Sequence, residues 1–179
     1  MAKWAEIPVS QKSTSLKCYK LFAEAHLPVM GSEWAACFDL RASLLGNEPI
    51  KCYDEWNIKK TVTVEDGNII LYSGQRMLVP TGLIFNLPED MSMRIHPRSG
   101  LSLKNGIVIA NCEGVVDSDY VEQTYVMLHN VSMKTFLIED GMRIAQAELV
   151  YNDPVRVEEI FDRPEQKTSR KGGFGSTGL

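Results

Sequence analysis

The feature that most constrains the fold of this chain is a series of short apolar runs, each ended by a turn signal. The stretch IILYSGQRMLVPTGLIFNLPEDMSMRI, residues 69–95, is interrupted by Ser-Gly at 73–74, Pro-Thr-Gly at 80–82 and Pro-Glu-Asp at 88–90. Short apolar runs between Gly and Pro clusters are typical of β-strands joined by turns. Helical periodicity is weak along the whole chain. We therefore predict an all-β fold, either a sandwich or a barrel.

The same pattern continues toward the C-terminus. Further strands are predicted in GIVIAN (106–111), TYVMLHN (124–130), KTFLI (134–138) and RIAQAELVY (143–151). The segment GNIIL, which follows an acidic pair, has the pattern of the far side of a hairpin.

Two stretches depart from this pattern. Residues 44–67 are more polar, and we expect them to form an irregular surface excursion. Residues 151–179 hold one short apolar piece, Val155–Phe161, and then become polar and rich in glycine. Such an end is typical of a mobile arm, and we expect a flexible flap over residues 164–179.

Composition and charge bound the class of protein. The chain has 179 residues, 44% of them hydrophobic, which suits one domain with a real core over residues 1–179. The net charge of -4 argues against a nucleic-acid partner, which normally needs a basic face. No apolar run approaches the roughly 20 residues that span a bilayer, and the N-terminus lacks the apolar core of a secretory signal. We expect no membrane partner.

The number and spacing of the cysteines indicate in which cellular compartment the protein is found. Four cysteines are widely spread without a C-x-x-C pair, so a zinc site built from them is not expected. Reduced thiols are typical of a cytosolic protein, and we expect a cytoplasmic location.

Two stretches could carry chemistry through charged side chains. In HPRSGLSLKNG (96–106), Arg98, Ser99 and the freed backbone at Gly100 could hold a phosphate, although a polar turn with an exposed arginine has the same pattern. In NCEGVVDSDYVEQ (111–123), a strand would point Asp117 and Asp119 to one face, where paired carboxylates suit general-base work or metal binding. An Asp-Ser-Asp sequence is also common in turns, so both interpretations stay open.

Three more stretches contain residues that their surroundings do not explain. Asp39 lies in an apolar-flanked run, where an acid is either a satisfied structural carboxylate or a group that holds a metal ion indirectly, and spacing does not decide between them. Gln146 interrupts an apolar strand, where a buried amide needs either a backbone partner or a ligand. The final RKGGFGSTGL contains Phe174, whose ring could stack on a base. A frayed tail would have the same composition.

Each stretch alone is a weak signal, but their order is informative. FDLRAS, PRSGLSLKNGIVIAN, GVVDSDY, RIAQ and GGFGSTG follow one another with the spacing of the five motifs of the trimeric dUTPase family. The resemblance runs from about residue 16 to the C-terminus, and PRSGL, VDSDY and GGFGSTG together are highly specific. It implies Mg²⁺-assisted hydrolysis of dUTP to dUMP and pyrophosphate. It also implies a jelly-roll-like β barrel that assembles as a homotrimer with active sites shared between subunits.

The resemblance assigns roles by position in this sequence. Asp117 matches the carboxylate that activates the attacking water, and Tyr120 matches the residue that stacks under deoxyribose and excludes a 2′-hydroxyl. Asp39 matches an acid that helps to hold hydrated Mg²⁺ through water, with no direct protein ligand to the metal. The remaining substrate-binding matches are Arg98, Ser99, Gly100 and Gln146 for phosphate, Asn111, Gly114 and Val116 in the uracil-reading hairpin, and Arg170, Phe174, Gly175, Ser176 and Thr177 in the flap.

The family pattern is not met everywhere. Cys37 precedes Phe38 and Asp39 where a small glycine is usual, and Met142 stands where the fourth motif often has an acid. The usual position of the flap arginine holds Ser169, with Arg170 one residue closer to the phenylalanine.

Two other classes of protein remain as alternatives. A dCTP deaminase shares the implied fold, but it would need a catalytic glutamate in place of the VDSDY arrangement and would normally lack GGFGSTG. A dUTPase-like regulatory protein could keep every motif and bind a protein partner through residues 44–67.

Overall fold

The computed structural model describes residues 15–46 and 48–169, and strands dominate this part of the chain as predicted. The one helix in residues 15–46 and 48–169 is short. The elements, in chain order, are β1 (Lys17–Lys20), β2 (Val29–Met30), β3 (Phe38–Arg41), β4 (Ile50–Tyr53), β5 (Lys59–Val62), β6 (Asn68–Leu71), β7 (Arg76–Pro80), β8 (Leu83–Asn86), β9 (Met91–His96), α1 (Ser99–Asn105), β10 (Ile107–Ile109), β11 (Gly114–Val116), β12 (Tyr125–Asn130), β13 (Phe136–Glu139) and β14 (Arg143–Tyr151).

The strands form two five-stranded sheets and two smaller pairs. One sheet has the order β10-β12-β7-β4-β5 and the other has the order β11-β9-β14-β3-β2, while β1 pairs with β8 and β13 with β6. Every strand pair in the described ranges is antiparallel. The all-β prediction is confirmed.

Both sheets contribute buried side chains to one hydrophobic core. Met77 and Val79 of β7 are buried from one sheet, and Leu40 of β3 and Met93 of β9 are buried from the other. Burying a side chain of this size contributes about 1.5–3 kcal/mol. The apolar runs are therefore what holds the two layers together.

The turn signals end the strands where the sequence indicated. Residues 72–75 separate β6 from β7, residues 81–82 separate β7 from β8, and residues 87–90 separate β8 from β9. Gly82 has φ of +67, and a Cβ there would lie 2.8 Å from the Cβ of Ala25. The left-handed backbone and the close packing both require glycine at this position.

Residues 44–67 are more regular than expected. They contain β4 and β5, which form an antiparallel pair, and β4 also pairs with β7 inside the sheet. Ile50 and Cys52 are buried while Lys51 and Tyr53 point outward, so the strand has the two-residue alternation of a half-buried sheet. The alternation covers only four residues, which is why the polar surroundings obscured it.

The helix α1 was not predicted, because it is only seven residues long and buries a single side chain, Leu101. It ends at Gly106, which has the left-handed φ of 66 that suits a helix C-cap. Beyond β14, residues 152–169 form no helix or strand, so the apolar piece at 155–161 is exposed rather than part of a sheet. No helix in the described ranges is long and apolar enough to cross a membrane.

Asp54 fixes the turn between β4 and β5. Its Oδ1 accepts the backbone N–H groups of Trp56 at 3.1 Å and Ile58 at 2.8 Å. Its Oδ2 lies 2.8 Å from Nζ of Lys60. The hydrogen bond from Lys60, together with the two backbone bonds, holds the pKa of Asp54 below its ordinary value of 3.8, although burial works in the opposite direction.

We predict that Asp54→Asn lowers the Tm and that the difference from wild type depends on pH. Because the folded pKa is depressed, the ionised carboxylate stabilises the fold above the ordinary pKa of 3.8, and this contribution disappears as the pH falls through the lower folded value. Thermal melts at neutral pH and in acid measure this effect. Glu55→Gln, at the next residue, is the control. An Asp54→Asn penalty that stays constant into acid contradicts the assignment.

Candidate functional site

A carboxylate shared by two arginines forms the centre of the site. Asp39 on β3 contacts Nε of Arg98 through Oδ1 at 3.0 Å and Nη1 of Arg143 through Oδ2 at 3.0 Å. Arg98 also donates from Nη1 to the carbonyl oxygen of Arg143 at 3.2 Å. The carboxylate is largely buried, so each arginine is held by an ion pair that water screens only partly. We call these three residues the arginine pair and its carboxylate.

Strand register explains why these residues meet. In β14, Gln146 lies opposite Asp39 of β3 on one side and opposite His96 of β9 on the other. The side-chain Nε2 of Gln146 donates to the carbonyl oxygen of Pro97 at 3.1 Å. The sequence left open whether this amide faces backbone or ligand, and the structure gives it a backbone partner. That bond anchors the loop that leads into Arg98.

Ser99 and Gly100 begin α1 directly beside the arginine pair, and both are exposed. A Cβ built on Gly100 would meet nothing within 4 Å. The fold itself therefore does not require glycine at this position, and its absent side chain leaves the surface beside the arginines open. Two guanidinium groups, a hydroxyl and open backbone N–H groups suit a polyphosphate.

The segment 111–120 forms a second group of predicted site residues. Asn111 lies in a tight turn, where its carbonyl oxygen accepts the N–H of Glu113 at 2.7 Å. Gly114 and Val116 belong to β11, and a Cβ on Gly114 would lie 3.0 Å from the Cβ of Ile95. Close packing of β11 against β9 thus explains that glycine without any ligand.

Asp117 and Asp119 lie in a turn directly after β11, which is the turn alternative for this pair and not the strand alternative. The N–H of Tyr120 donates to the carbonyl oxygen of Asp117 at 3.2 Å, and β11 ends before the turn. Asp117 is exposed. The hydroxyl of Tyr120 donates to the carbonyl oxygen of Gln123 at 2.9 Å, which leaves the face of the ring as its accessible part.

The two groups of residues are separated within one chain. β11 pairs with β9 so that Val116 lies opposite Met93, which brings Asp117 to the level of Ser92. His96 lies four residues further along β9, about 13 Å at 3.3 Å per residue, and Arg98 lies beyond it. The hydroxyl of Ser118 donates to the carbonyl oxygen of Glu89 at 3.3 Å, which holds the turn at that distant end.

A charged cluster beside the arginine pair was not found from the sequence. His96 lies between two acids, with Nε2 3.1 Å from Glu148 and Nδ1 3.6 Å from Glu113. Arg94 lies 3.7 Å from the second carboxyl oxygen of Glu113. The sequence does contain a pattern for this cluster, since polar residues alternate at 94 and 96 on β9 and at 146 and 148 on β14. That pattern becomes informative only once the register of the two strands is known.

The thiol of Cys37, metal-binding side chains and the predicted flap are the remaining groups to place. Burial raises the pKa of the Cys37 thiol, and the charge of Glu148 raises it further, so this thiol stays protonated. Within the described ranges, no three His, Cys, Asp or Glu side chains form a group that could hold a metal ion. The predicted flap residues Arg170, Phe174, Gly175, Ser176 and Thr177 lie outside the described residues.

Comparisons of the sequence point to one family. Residues 63–178 match the family model described as dUTPase. A deoxyuridine 5'-triphosphate nucleotidohydrolase of Rhizobium etli is 42% identical over 154 residues, which cover 86% of this chain and 85% of the relative. The enzyme of the same name from Brucella melitensis is 46% identical over 121 residues, which cover 66% of this chain and 75% of the relative.

Comparisons of the fold agree. A Staphylococcus bacteriophage 80alpha dUTPase with dUPNHPP has a TM-score of 0.72 at 18% identity, covering 93% of this chain and all of the phage chain. A dUTPase from Streptococcus mutans has a TM-score of 0.62 at 20% identity, covering 80% of this chain and all of that chain. At this level of identity the likeness shows the fold, and it is the fold predicted from the motifs.

We predict that Arg98→Lys weakens the binding of inorganic pyrophosphate about tenfold, because lysine cannot pair with Asp39 and with an anion through one planar fork. Isothermal titration calorimetry measures the affinity. Arg156→Lys is the matched control, since Arg156 is exposed and, among the described residues, forms an ion pair with nearby Glu158 alone. An Arg98→Lys protein with wild-type affinity contradicts the role of the arginine pair.

Proposed function

The chain belongs to the dUTPase family and is therefore a dUTP diphosphatase, and from this premise we propose how its residues hydrolyse dUTP to dUMP and pyrophosphate. The observation that carries the proposal is the arginine pair and its carboxylate, which joins residues of three motifs in one place. A carboxylate that holds two guanidinium groups in fixed positions prepares them for a polyphosphate before it arrives.

Arg98, Ser99 and Gly100 bind the phosphate chain in this proposal. Gln146 acts on the same loop, because its bond to the carbonyl oxygen of Pro97 fixes the approach to Arg98. The guanidinium of Arg98 presents several donors, so it can keep its contact with Asp39 and still bind phosphate oxygens.

The segment 111–120 binds the nucleoside in this proposal. Asn111, Gly114 and Val116 line the hairpin for uracil, whose edge would pair with backbone groups. Those groups would be left unpaired against cytosine, which is a large penalty in a closed site. Tyr120 places its ring under the sugar, since its hydroxyl is already bonded to Gln123, and a 2′-hydroxyl then has no room.

Asp117 carries the chemical step. Its carboxylate aligns a water molecule with the α-phosphorus and accepts a proton as the new P–O bond forms. The bond from the α-phosphorus to the bridging oxygen breaks, and pyrophosphate leaves with the electron pair. Charge that develops on the phosphate oxygens is offset by Arg98 and the N–H groups that begin α1.

Mg²⁺ bound on the triphosphate would supply further positive charge and orient the phosphate oxygens. The side chains fit a metal that arrives with its substrate. Asp39 engages both oxygens with arginines, yet each oxygen keeps a lone pair that can accept a hydrogen bond from a metal-bound water. One solved relative, the dUTPase of phage phi11, is described as coordinating a structural Mg(II) ion.

A homotrimer with shared sites is part of the proposal. It is supported by the separation of Asp117 from Arg98 along β9 and β11, because one substrate could contact both only if they come from different subunits. The exposed apolar side chains Val155, Val157 and Phe161 provide a segment for contacts between copies. The flap at 164–179, with Arg170, Phe174, Gly175, Ser176 and Thr177, would close over the nucleotide and exclude water.

A regulatory role is a second candidate, favoured by one observation. The β4–β5 hairpin exposes Trp56 and Ile58 at its end, at 72% and 56%. Solved phage 80alpha dUTPases are described as controlling the transfer of virulence genes. A pull-down that compares wild type with Trp56→Ala/Ile58→Ser tests for a partner and, unlike deletion of residues 44–67, keeps β4 in its sheet.

The reaction is tested by measuring pyrophosphate release from dUTP, dCTP, dTTP and UTP, with and without Mg²⁺. We expect rapid release from dUTP with the metal and poor release from the other three nucleotides. Release of ammonia from dCTP would indicate the deaminase instead. A UTP rate close to the dUTP rate contradicts the role of Tyr120.

We predict that Asp117→Asn retains dUTP binding and lowers kcat by about 10²–10⁴-fold, the usual contribution of a general base. Calorimetry with dUTP and the pyrophosphate assay measure the two quantities. Asp119→Asn in the same turn is the matched control, and we expect it to keep most of its turnover. Wild-type turnover in Asp117→Asn rules out this residue as the base.

A further inference from the structure

We propose that Glu48, Gln123 and Tyr125 form a brace that positions the ring of Tyr120, so that the chain just before β4 contributes to the choice of sugar. The inference rests on the function proposed above, since it concerns discrimination between dUTP and UTP. Glu48, Gln123 and Tyr125 are positioning residues that act through Tyr120 and touch no substrate themselves.

The brace is a closed triangle of side chains. Nε2 of Gln123 donates to Oε2 of Glu48 at 3.1 Å and to the hydroxyl oxygen of Tyr125 at 2.5 Å. The hydroxyl of Tyr125 in turn donates to the same Oε2 of Glu48 at 3.2 Å. One carboxylate oxygen thus receives two donors, one from Tyr125 at the start of β12 and one from Gln123 two residues earlier, although Glu48 is 75 residues away from Gln123 in the chain.

Gln123 connects this triangle to Tyr120. Its backbone carbonyl accepts the hydroxyl of Tyr120 at 2.9 Å. Gln123 is only 8% exposed, while its partners Glu48 and Tyr125 are exposed, so the triangle fixes a buried amide from the surface. The next residue, Thr124, is held from the other side, because its N–H donates to the carbonyl oxygen of Leu83 at 2.9 Å.

Tyr120 is therefore held at both ends, through its backbone and through the hydroxyl of its ring. The N–H of Tyr120 is bonded to Asp117, and the hydroxyl at the far end of the ring is bonded to Gln123. Exclusion of a 2′-hydroxyl is a steric effect that requires the ring to stay within about 0.5 Å of its place. If Gln123 loses its side-chain partners, its carbonyl can move and the ring can move with it.

The surroundings of Tyr125 keep its hydroxyl protonated. Burial raises the pKa of the Tyr125 hydroxyl, and the carboxylate of Glu48 also raises it, while the bond from Gln123 works in the opposite direction. The phenol therefore remains a donor at neutral pH.

The test measures kcat/KM for dUTP and for UTP, together with the Tm, in a set of variants. Glu48→Ala removes the acceptor, Tyr125→Phe removes only one hydroxyl, and Glu48→Gln restores an acceptor oxygen without the charge. Glu55→Ala is the matched control, because Glu55 is an exposed acid at the other end of β4 and lies outside the triangle. Tyr120→Ala shows the discrimination that depends on the ring.

We expect Glu48→Ala and Tyr125→Phe to lower the dUTP to UTP ratio of kcat/KM about tenfold, mainly through faster turnover of UTP. Glu48→Gln should recover most of the ratio, and Glu55→Ala should leave it unchanged. If the brace variants lower the Tm, or the activity on both nucleotides, while the ratio stays at the wild-type value, the brace is merely structural and the inference is wrong. Tyr125→Phe removes a single atom, so it tests the idea even if Glu48→Ala fails to fold.

The same data separate this inference from the proposed function. If wild type does not hydrolyse dUTP, the proposed function and the brace are both overturned. If wild type prefers dUTP and Tyr120→Ala loses that preference while Glu48→Ala and Tyr125→Phe keep it, only the brace is overturned.

Discussion

The pairing of β14 with β3 on one side and β9 on the other is the constraint on which the site depends. This register places Gln146 between Asp39 and His96, and it brings Arg98 and Arg143 to the same carboxylate. A shift by one residue would turn Gln146 to the opposite face of the sheet and separate the arginine pair. The buried residues of these strands therefore fix the chemistry of the surface as well as the core.

The same sheet also keeps Asp117, the proposed base, away from the arginines of its own chain. β11 is antiparallel to β9, so the turn at Asp117 lies at the end of β9 that is remote from Arg98. Tyr120 lies at that remote end too, held by Asp117 and by Gln123. In the proposed mechanism, one subunit binds the phosphates through Arg98, and another supplies Asp117 as the base and Tyr120 against the sugar. Assembly is then a condition of catalysis.

The turns between strands and the motif residues could be predicted from the sequence, because each depends on a few neighbouring residues. Gly74 and Gly82 lie in turns between strands, where the backbone has positive φ. The residues around Arg98 were recognised from the order of the motifs. The brief alternation of β4, the seven-residue α1 and the cluster around His96 were not predicted. The first two are too short to show a period, and the cluster depends on which strands become neighbours, which sequence spacing does not specify.

Subunit mixing tests the shared site most directly. Two variants that the proposal expects to have little activity, Asp117→Asn and Arg98→Ala, are unfolded together and refolded as an equal mixture, and dUTP turnover is compared with each variant refolded alone. If the base and the arginine come from different subunits, about one quarter of the sites receive both intact residues, so the mixture should recover about one quarter of wild-type activity. A mixture no more active than its separate components, although mixed oligomers have formed, contradicts the account.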